Sequence, residues 1–241
     1  MKITNKIILF TLIAIFIFIA TIIIASRVII DKSFQDEYSD IETLNKESIT
    51  KYFDVTGFTG LSASGSWQIT LNRGDSYQVR IEAPEYLMDD VVVRKRGKIL
   101  NIGLEWKTRV HKRSLKAEIT MTNLDRIKSS DGSKVRFNDF DTDNLEIRVS
   151  GASRIKGINN TINNLSINSS GATHINLKRS SITNADLHTS GVSSIELTMA
   201  GGKLTGNVSG AGSITYYGNV KEQSIRTSGA VSVRKRVKNA F

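Results

Sequence analysis

Leu145-Glu146-Ile147-Arg148-Val149-Ser150-Gly151-Ala152-Ser153-Arg154-Ile155 returns twenty residues later as Leu165-Ser166-Ile167-Asn168-Ser169-Ser170-Gly171-Ala172-Thr173-His174-Ile175. The same serine, nearby glycine and later β-branched residue recur at Ser130, Ser190, Ser209 and Ser228, so successive serines lie 20, 20, 20, 19 and 19 residues apart. A fixed period of this length marks a chain of stacked units, none of which can bury its own apolar side alone. Three residues before the serine stand Ile127, Ile147, Ile167, Leu187, Gly206 and Ile225, and five after it Val135, Ile155, Ile175, Ile195, Ile214 and Val233. Around each corner apolar and polar residues alternate, the period-two signature of a half-buried strand.

Each unit therefore reads as strand, tight corner, strand. The pairs Ser150-Gly151, Ser170-Gly171, Ser190-Gly191, Ser209-Gly210 and Ser228-Gly229 are the expected structural corners. Glycine supplies positive φ there, and its small neighbours let successive turns stack. Twenty residues are too few for a propeller blade or a helical pair. They suit one coil of a parallel β-solenoid, with coils about 4.8 Å apart. The expected fold is all-β, a parallel β-helix of roughly 20-residue coils, preceded by one N-terminal transmembrane helix.

That helix is read from residues 7–25, opening at Ile7 and closing at Ala25, 19 residues without a charge behind Lys2 and Lys6. At 1.5 Å per residue it spans roughly 28 Å, close to the hydrocarbon core of a bilayer. A cleaved signal usually has a shorter apolar stretch and an Ala-x-Ala-like exit. Here Ala25-Ser26 is followed by Arg27 and then Val28-Ile29-Ile30, which favours a retained anchor over cleavage. The expected organisation is an anchor over 1–26, a stem over 27–51 with Phe34, Tyr38, Ile41 and Leu44 at helical spacing, and a solenoid over 52–241. With no cysteine, disulfides and a lipid-modified cysteine are excluded. The expected location is the membrane-anchored, extracytoplasmic side of the envelope, in the periplasm or at the cell surface.

Strand patterns begin before the regular repeats, in Trp67-Gln-Ile69-Thr-Leu71, Tyr77-Gln-Val79-Arg-Ile81, residues 91–93, residues 99–104 and Leu115-Lys-Ala117-Glu-Ile119-Thr-Met121. Leu61, Ser64, Gly65 and Ile69 already obey the repeat template, so irregular, longer coils are expected from there. The run Phe58-Thr-Gly-Leu61-Ser-Ala-Ser64-Gly65-Ser66, the Asn72-Arg-Gly74-Asp75 turn, the Leu124 segment, the Ser-Gly-Ala-Ser corners and Tyr216-Tyr217-Gly218-Asn219 resemble the putative auto-transporter adhesin, head GIN domain family. The resemblance covers about residues 52 to 236 and implies a bacterial cell-envelope β-helix, with no catalytic residues. One departure is Val220, where members often carry proline after the asparagine.

The outward columns hold the chemistry. Two residues before the serine stand Lys128 and Arg148, four after it Lys134 and Arg154, and six after it Arg136 and Lys156. With a net charge of +10, these registered cations form the candidate site for polyanions such as acidic glycans, teichoic-type polymers or anionic headgroups. The bland alternative is that they keep the faces soluble. The basic runs Arg94-Lys-Arg96-Gly-Lys98 and Arg234-Lys-Arg236-Val-Lys238 lack interleaved aromatics, so no nucleic-acid partner is expected, and the second run reads as a charged cap on the last strand.

No cofactor, metal or catalytic residue is expected. Glu146 and Asp186 share a register two coils apart, about 9.6 Å, near the upper end of inverting-carboxylate spacing. Outward polar residues are the simpler reading. Asp139, Asp141 and Asp143 start like a calcium loop, but Asn144 replaces the required glycine and Ser150 the bidentate glutamate. His111, His174 and His188 lack ligand spacing. The leading expectation is a non-catalytic binding or adhesion module of the bacterial envelope. A structural or envelope-sensing scaffold comes second and a polysaccharide-acting enzyme third.

Overall fold

A computed structural model describes residues 48–105 and 115–237. The expected membrane helix over residues 7–25, the stem before residue 48 and His111 lie outside the described residues. Among the described residues no helix is long and apolar enough to cross a membrane.

The described chain is β-structure throughout, apart from one helical turn. In chain order the strands are β1 (Ser48–Phe53), β2 (Gly60–Ala63), β3 (Trp67–Arg73), β4 (Gln78–Pro84), β5 (Val91–Arg96), β6 (Ile99–Leu104) and β7 (Leu115–Met121). They continue as β8 (Arg126–Ser129), β9 (Lys134–Asn138), β10 (Asp141–Gly151), β11 (Arg154–Ala200), β12 (Lys203–Asn219) and β13 (Glu222–Arg236). From β8 onward pairing is parallel with the expected offsets: Ile147 opposite Ile127 and Ile167, Ser150 opposite Ser170, and Ser209 opposite Ser228. β11 runs for 47 residues because the corners remain in the ladder. Along it the inward–outward alternation breaks at the Ser-Gly corner, near Ile158-Asn159 and at Asn163-Asn164, giving each coil three sides.

The core is a set of side-chain ladders. Ile155, Ile175, Ile195 and Ile214 are fully buried, as are Ile127, Ile147, Ile167 and Leu187. Each such side chain contributes about 1.5–3 kcal/mol on leaving water. Gly206 interrupts the second ladder because a Cβ there would lie 2.0 Å from the Leu187 carbonyl oxygen. At the seventh position after the serine one small residue, Gly157, stands among the large Phe137, Leu177, Leu197 and Tyr216. A Cβ on Gly157 would meet Leu177 at 2.7 Å and the tip of Phe137 at 2.8 Å, so the Phe137 ring fills the space that Gly157 leaves.

Directly inside the corner the core turns polar. Ser129, Ser153, Ser169, Thr173, Thr189 and Ser193 are buried, and hydroxyl pairs span the narrow arc: Ser129–Ser153 at 3.2 Å, Thr173–Ser169 at 3.4 Å and Thr189–Ser193 at 3.3 Å. Only short side chains fit there, and the paired hydroxyls satisfy one another. Across the core, buried Asn160 accepts from the Phe140 N–H at 3.0 Å and donates to the Phe137 carbonyl and the Ser180 hydroxyl.

The expectation that Leu61, Ser64, Gly65 and Ile69 open the solenoid holds: β2 and β3 stack parallel on β8 and β9, with Leu61 opposite Ile127 and Ile69 opposite Val135. The stacking order departs from chain order, however. β6 and β7 lie parallel against the other edges of β2 and β3, so β2 and β3 are sandwiched between β6 and β7 on one side and β8 and β9 on the other. Beyond it β4 and β5 pair antiparallel with β7 and β6, and β1 pairs antiparallel with β4. The turn α1 (Glu85–Met88) buries Leu87 and Met88.

Candidate functional site

The corner positions the candidate site, and its geometry follows from close coil-to-coil approach. Gly151, Gly171, Gly191, Gly210 and Gly229 all have φ between +80° and +104°, and a Cβ on Gly171 would stand 2.6 Å from the Gly151 carbonyl oxygen. In the Ser130 coil Asp131 takes this position, with φ +67°, and its carboxylate accepts from the Gly65 N–H at 2.9 Å. The result is a thin ridge of Ser, Gly and Ala with a groove on either side.

One groove, of about 540 Å³, is lined by Lys128, Arg148, Asn168 and His188 together with corner serines. The other, about 530 Å³, carries Lys134, Arg154, His174 and Ser194 on its rim. The register sets Arg148 beside Lys128, Arg154 beside Lys134 and Lys156 beside Arg136. The six predicted cations therefore form registered pairs but not one surface. Lys128 and Arg148 lie before the corner, and the other four lie after it on the next side of the coil.

Their electrostatic surroundings differ. Glu146 accepts from Arg126 at 2.8 Å and from Arg148, so the cation count beside Lys128 is partly neutralised. Lys134, Arg136, Arg154 and Lys156 form a two-by-two block, about 4.8 Å between coils and about 7 Å along a strand. None of the four has an ion-pair partner among the described residues. Gln68 and Thr70 flank the block on one side and His174 and Asn176 continue its columns on the other. In water each like-charge neighbour costs under about 1 kcal/mol. The fold tolerates this, and an anion relieves it. One further cation escaped the sequence reading: Lys178, on the same side, lies 4.8 Å above the Tyr217 ring centroid. Its signal was Tyr217, two coils on.

The acidic pair is engaged. Asp186 pairs with His188 at 2.9 Å and accepts from the Thr205 hydroxyl at 3.0 Å, while Glu146 holds two arginines. Both line a third groove of about 490 Å³ that Lys203 also borders. Lys203 pairs with Glu222 at 2.8 Å; their hydrogen bond and opposite charge hold the ammonium above its usual range and the carboxyl below. Asp139 sits at a left-handed turn, and Asp143 accepts from Asn163 at 2.7 Å. No group of three or more potential metal-ligating His, Cys, Asp or Glu residues occurs among the described residues. Of the basic runs, 94–98 forms the β5–β6 hairpin, with Arg94 3.8 Å from Glu105, and 234–236 lies on β13, paired along one edge only.

Comparison with known proteins agrees with this architecture. The family model described as putative auto-transporter adhesin, head GIN domain, matches residues 57–220. A putative adhesin from Bacteroides fragilis superposes with a TM-score of 0.66 at 20% identity, over 80% of this chain and 99% of that one. A putative lipid binding protein from Parabacteroides distasonis superposes with a TM-score of 0.50 at 16% identity, over 79% of this chain and 98% of that one. At these identities the likeness concerns the fold. No curated protein matches the sequence.

Proposed function

The chain belongs to the putative auto-transporter adhesin, head GIN domain family, and from that membership we propose that it is an exported, non-catalytic adhesion module of the bacterial cell envelope. In this reading residues 7–25 anchor it in the membrane, the solenoid faces away from the cytoplasm, and Lys134, Arg136, Arg154 and Lys156 retain anionic envelope polymers. The observation that carries the reading is the two-by-two block of cations, none of which has an ion-pair partner among the described residues. Four charges held by strands in a rigid ladder meet a polyanion with little ordering of the protein, and long-range attraction speeds encounter.

Two measurements test it. Protease shaving of intact cells, repeated after opening the envelope and followed with an antibody against residues 130–230, reads location: digestion on intact cells supports adhesion. Digestion only after opening replaces adhesion by a scaffold or sensing role, and a cytosolic pool overturns export. Retention on immobilised polyphosphate reads the surface. Reversing Lys134, Arg154 and Lys156 to Glu lowers the eluting salt more than three reversals at Arg94, Lys95 and Arg96. Equal loss from the two triples refutes a defined site.

A further inference from the structure

The groove on the Lys134 side joins an apolar floor to a polar rim that carries no carboxylate. Ala152, Ala172 and Val192 occupy one column beside the corner, all exposed, and Val192 keeps 61% of its surface in water despite its size. Gly132 begins the groove and Gly212 ends it, so it crosses five coils, a length of about 19 Å at one coil per ~4.8 Å. Along the rim run Lys134, Arg154, His174, Ser194 and Ser213, one polar group per coil. Each coil thus offers one hydrogen-bonding or charged rim position in a fixed translational repeat, and the three central coils add an apolar floor position between the glycines that end the groove. The first groove has serines beside the corner, and the third, which Leu145, Leu165 and Ala185 also line, mixes carboxylates with Lys203.

We infer that this groove binds a linear acidic glycan lying parallel to the stacking direction, one sugar per coil. The inference rests on the polyanion-binding reading above and specifies its ligand. A β-linked pyranose chain has an apolar C–H face and a polar edge, and it advances by close to one coil spacing per residue. Its C–H faces lie on Ala152, Ala172 and Val192; successive sugars are turned over, so every second carboxylate faces the rim, and one lies between Lys134 and Arg154, which stand in adjacent coils, backed by Arg136 and Lys156. Its hydroxyls reach Ser194 and Ser213 at the uncharged end. A headgroup or an isolated phosphate engages the cations but not the repeating floor. A flexible phosphodiester chain has no flat apolar face to lay on it.

The test uses the full-length chain with β-(1→4)-linked oligomannuronates of two to eight residues, the uncharged oligomannosides of the same lengths, and inorganic polyphosphate. Affinity for the uronates rises with each sugar up to about five residues, the number of coils crossed, and is then flat. The oligomannosides bind at least about tenfold more weakly, a difference of about 1.4 kcal/mol. Val192→Glu and Val192→Arg both obstruct the floor at an exposed position, and unchanged melting checks their fold. Both variants remove the length dependence while keeping retention on polyphosphate. Affinity that climbs steadily through eight residues overturns the groove, as does a Val192→Arg chain that binds the pentamer more tightly than the unsubstituted chain; both report charge alone. Loss of polyphosphate retention only in the Lys134, Arg154 and Lys156 reversal then leaves the general polyanion reading standing. Absence of binding to uronates and polyphosphate alike overturns both.

Discussion

Replacing Gly171 and Gly201 by alanine, one at a time, separates two contributions to corner stability that are otherwise entangled. The two glycines share a backbone conformation, φ +101° and +100°, but a Cβ on Gly171 meets the Gly151 carbonyl oxygen at 2.6 Å, whereas one on Gly201 has nothing within 4 Å. Gly201→Ala therefore carries only the backbone penalty, about 1–3 kcal/mol for an L-residue in a sparsely populated region. Gly171→Ala carries the same penalty plus a contact 0.8 Å short of the 3.4 Å at which ordinary packing begins (3.4 − 2.6). The obstructing atom is backbone, held in a ladder on both sides, so the coils must part locally. Overpacking of this kind costs about 1–3 kcal/mol. The expected losses are then about 1–3 kcal/mol for Gly201→Ala and about 2–6 kcal/mol for Gly171→Ala. Urea unfolding followed by circular dichroism reads both, with an unchanged slope marking a change in stability rather than in the unfolded ensemble. Equal midpoints for the two variants would refute close coil approach as the reason for glycine at the corner.

Three further outcomes follow from the same structure. Ile175→Asp places an unpaired charge in a fully buried ladder and abolishes cooperative melting, since burying an isolated carboxylate costs far more than a domain's net stability of about 5–15 kcal/mol; native-like melting contradicts a continuous core. Gly157→Ala costs about 1–3 kcal/mol by overpacking, and Phe137→Leu, which withdraws the ring tip 2.8 Å from the added methyl, makes the double variant more stable than the sum of the singles, as a double-mutant cycle reads directly. The Lys203–Glu222 pair contributes fully above the usual carboxyl value of 4.5, and that contribution fades as pH falls through the lowered value of Glu222. On the alkaline side it is complete below 10.5 and fades above, through the raised value of Lys203. Glu222→Gln flattens both limbs of melting temperature against pH; unchanged limbs show that the pair contributes nothing.

Much of this architecture was legible because the ladder columns are translationally repeated. Val135, Ile155, Ile175, Ile195 and Ile214 share one position in the sequence period and one wall of the core. The stacking of β6 and β7 outside β2 and β3 was not legible. Which edge of a strand receives which partner is a long-range choice, and neither Leu100 nor Ala117 differs in type from a residue at the opposite edge. The buried hydroxyls escaped notice for another reason: Ser153, Thr173 and Ser193 look like surface corner residues until the narrowness of the arc is known. For the candidate site, the period predicted the rows of cations correctly. It did not reveal that Glu146 binds Arg148 while Arg154 has no ion-pair partner among the described residues, because ion pairing depends on which side of the corner each column faces.

A strand bonded along one edge only has a mechanical meaning. β13 holds to β12 through a single parallel ladder, and the far edge of β13 has no partner among the described residues. Tension applied through the C-terminal end loads these hydrogen bonds one after another rather than all together, so coils peel away in sequence. Each released coil of 19 or 20 residues lengthens the chain by about 60–70 Å when fully extended. The corners then act as successive arrest points, since the next coil is again a complete, in-register ladder. Under pulling in an optical trap such a molecule yields as a series of similar steps from its C-terminal end, dissipating work at each one. The antiparallel strands β1, β4 and β5 hold the opposite end closed.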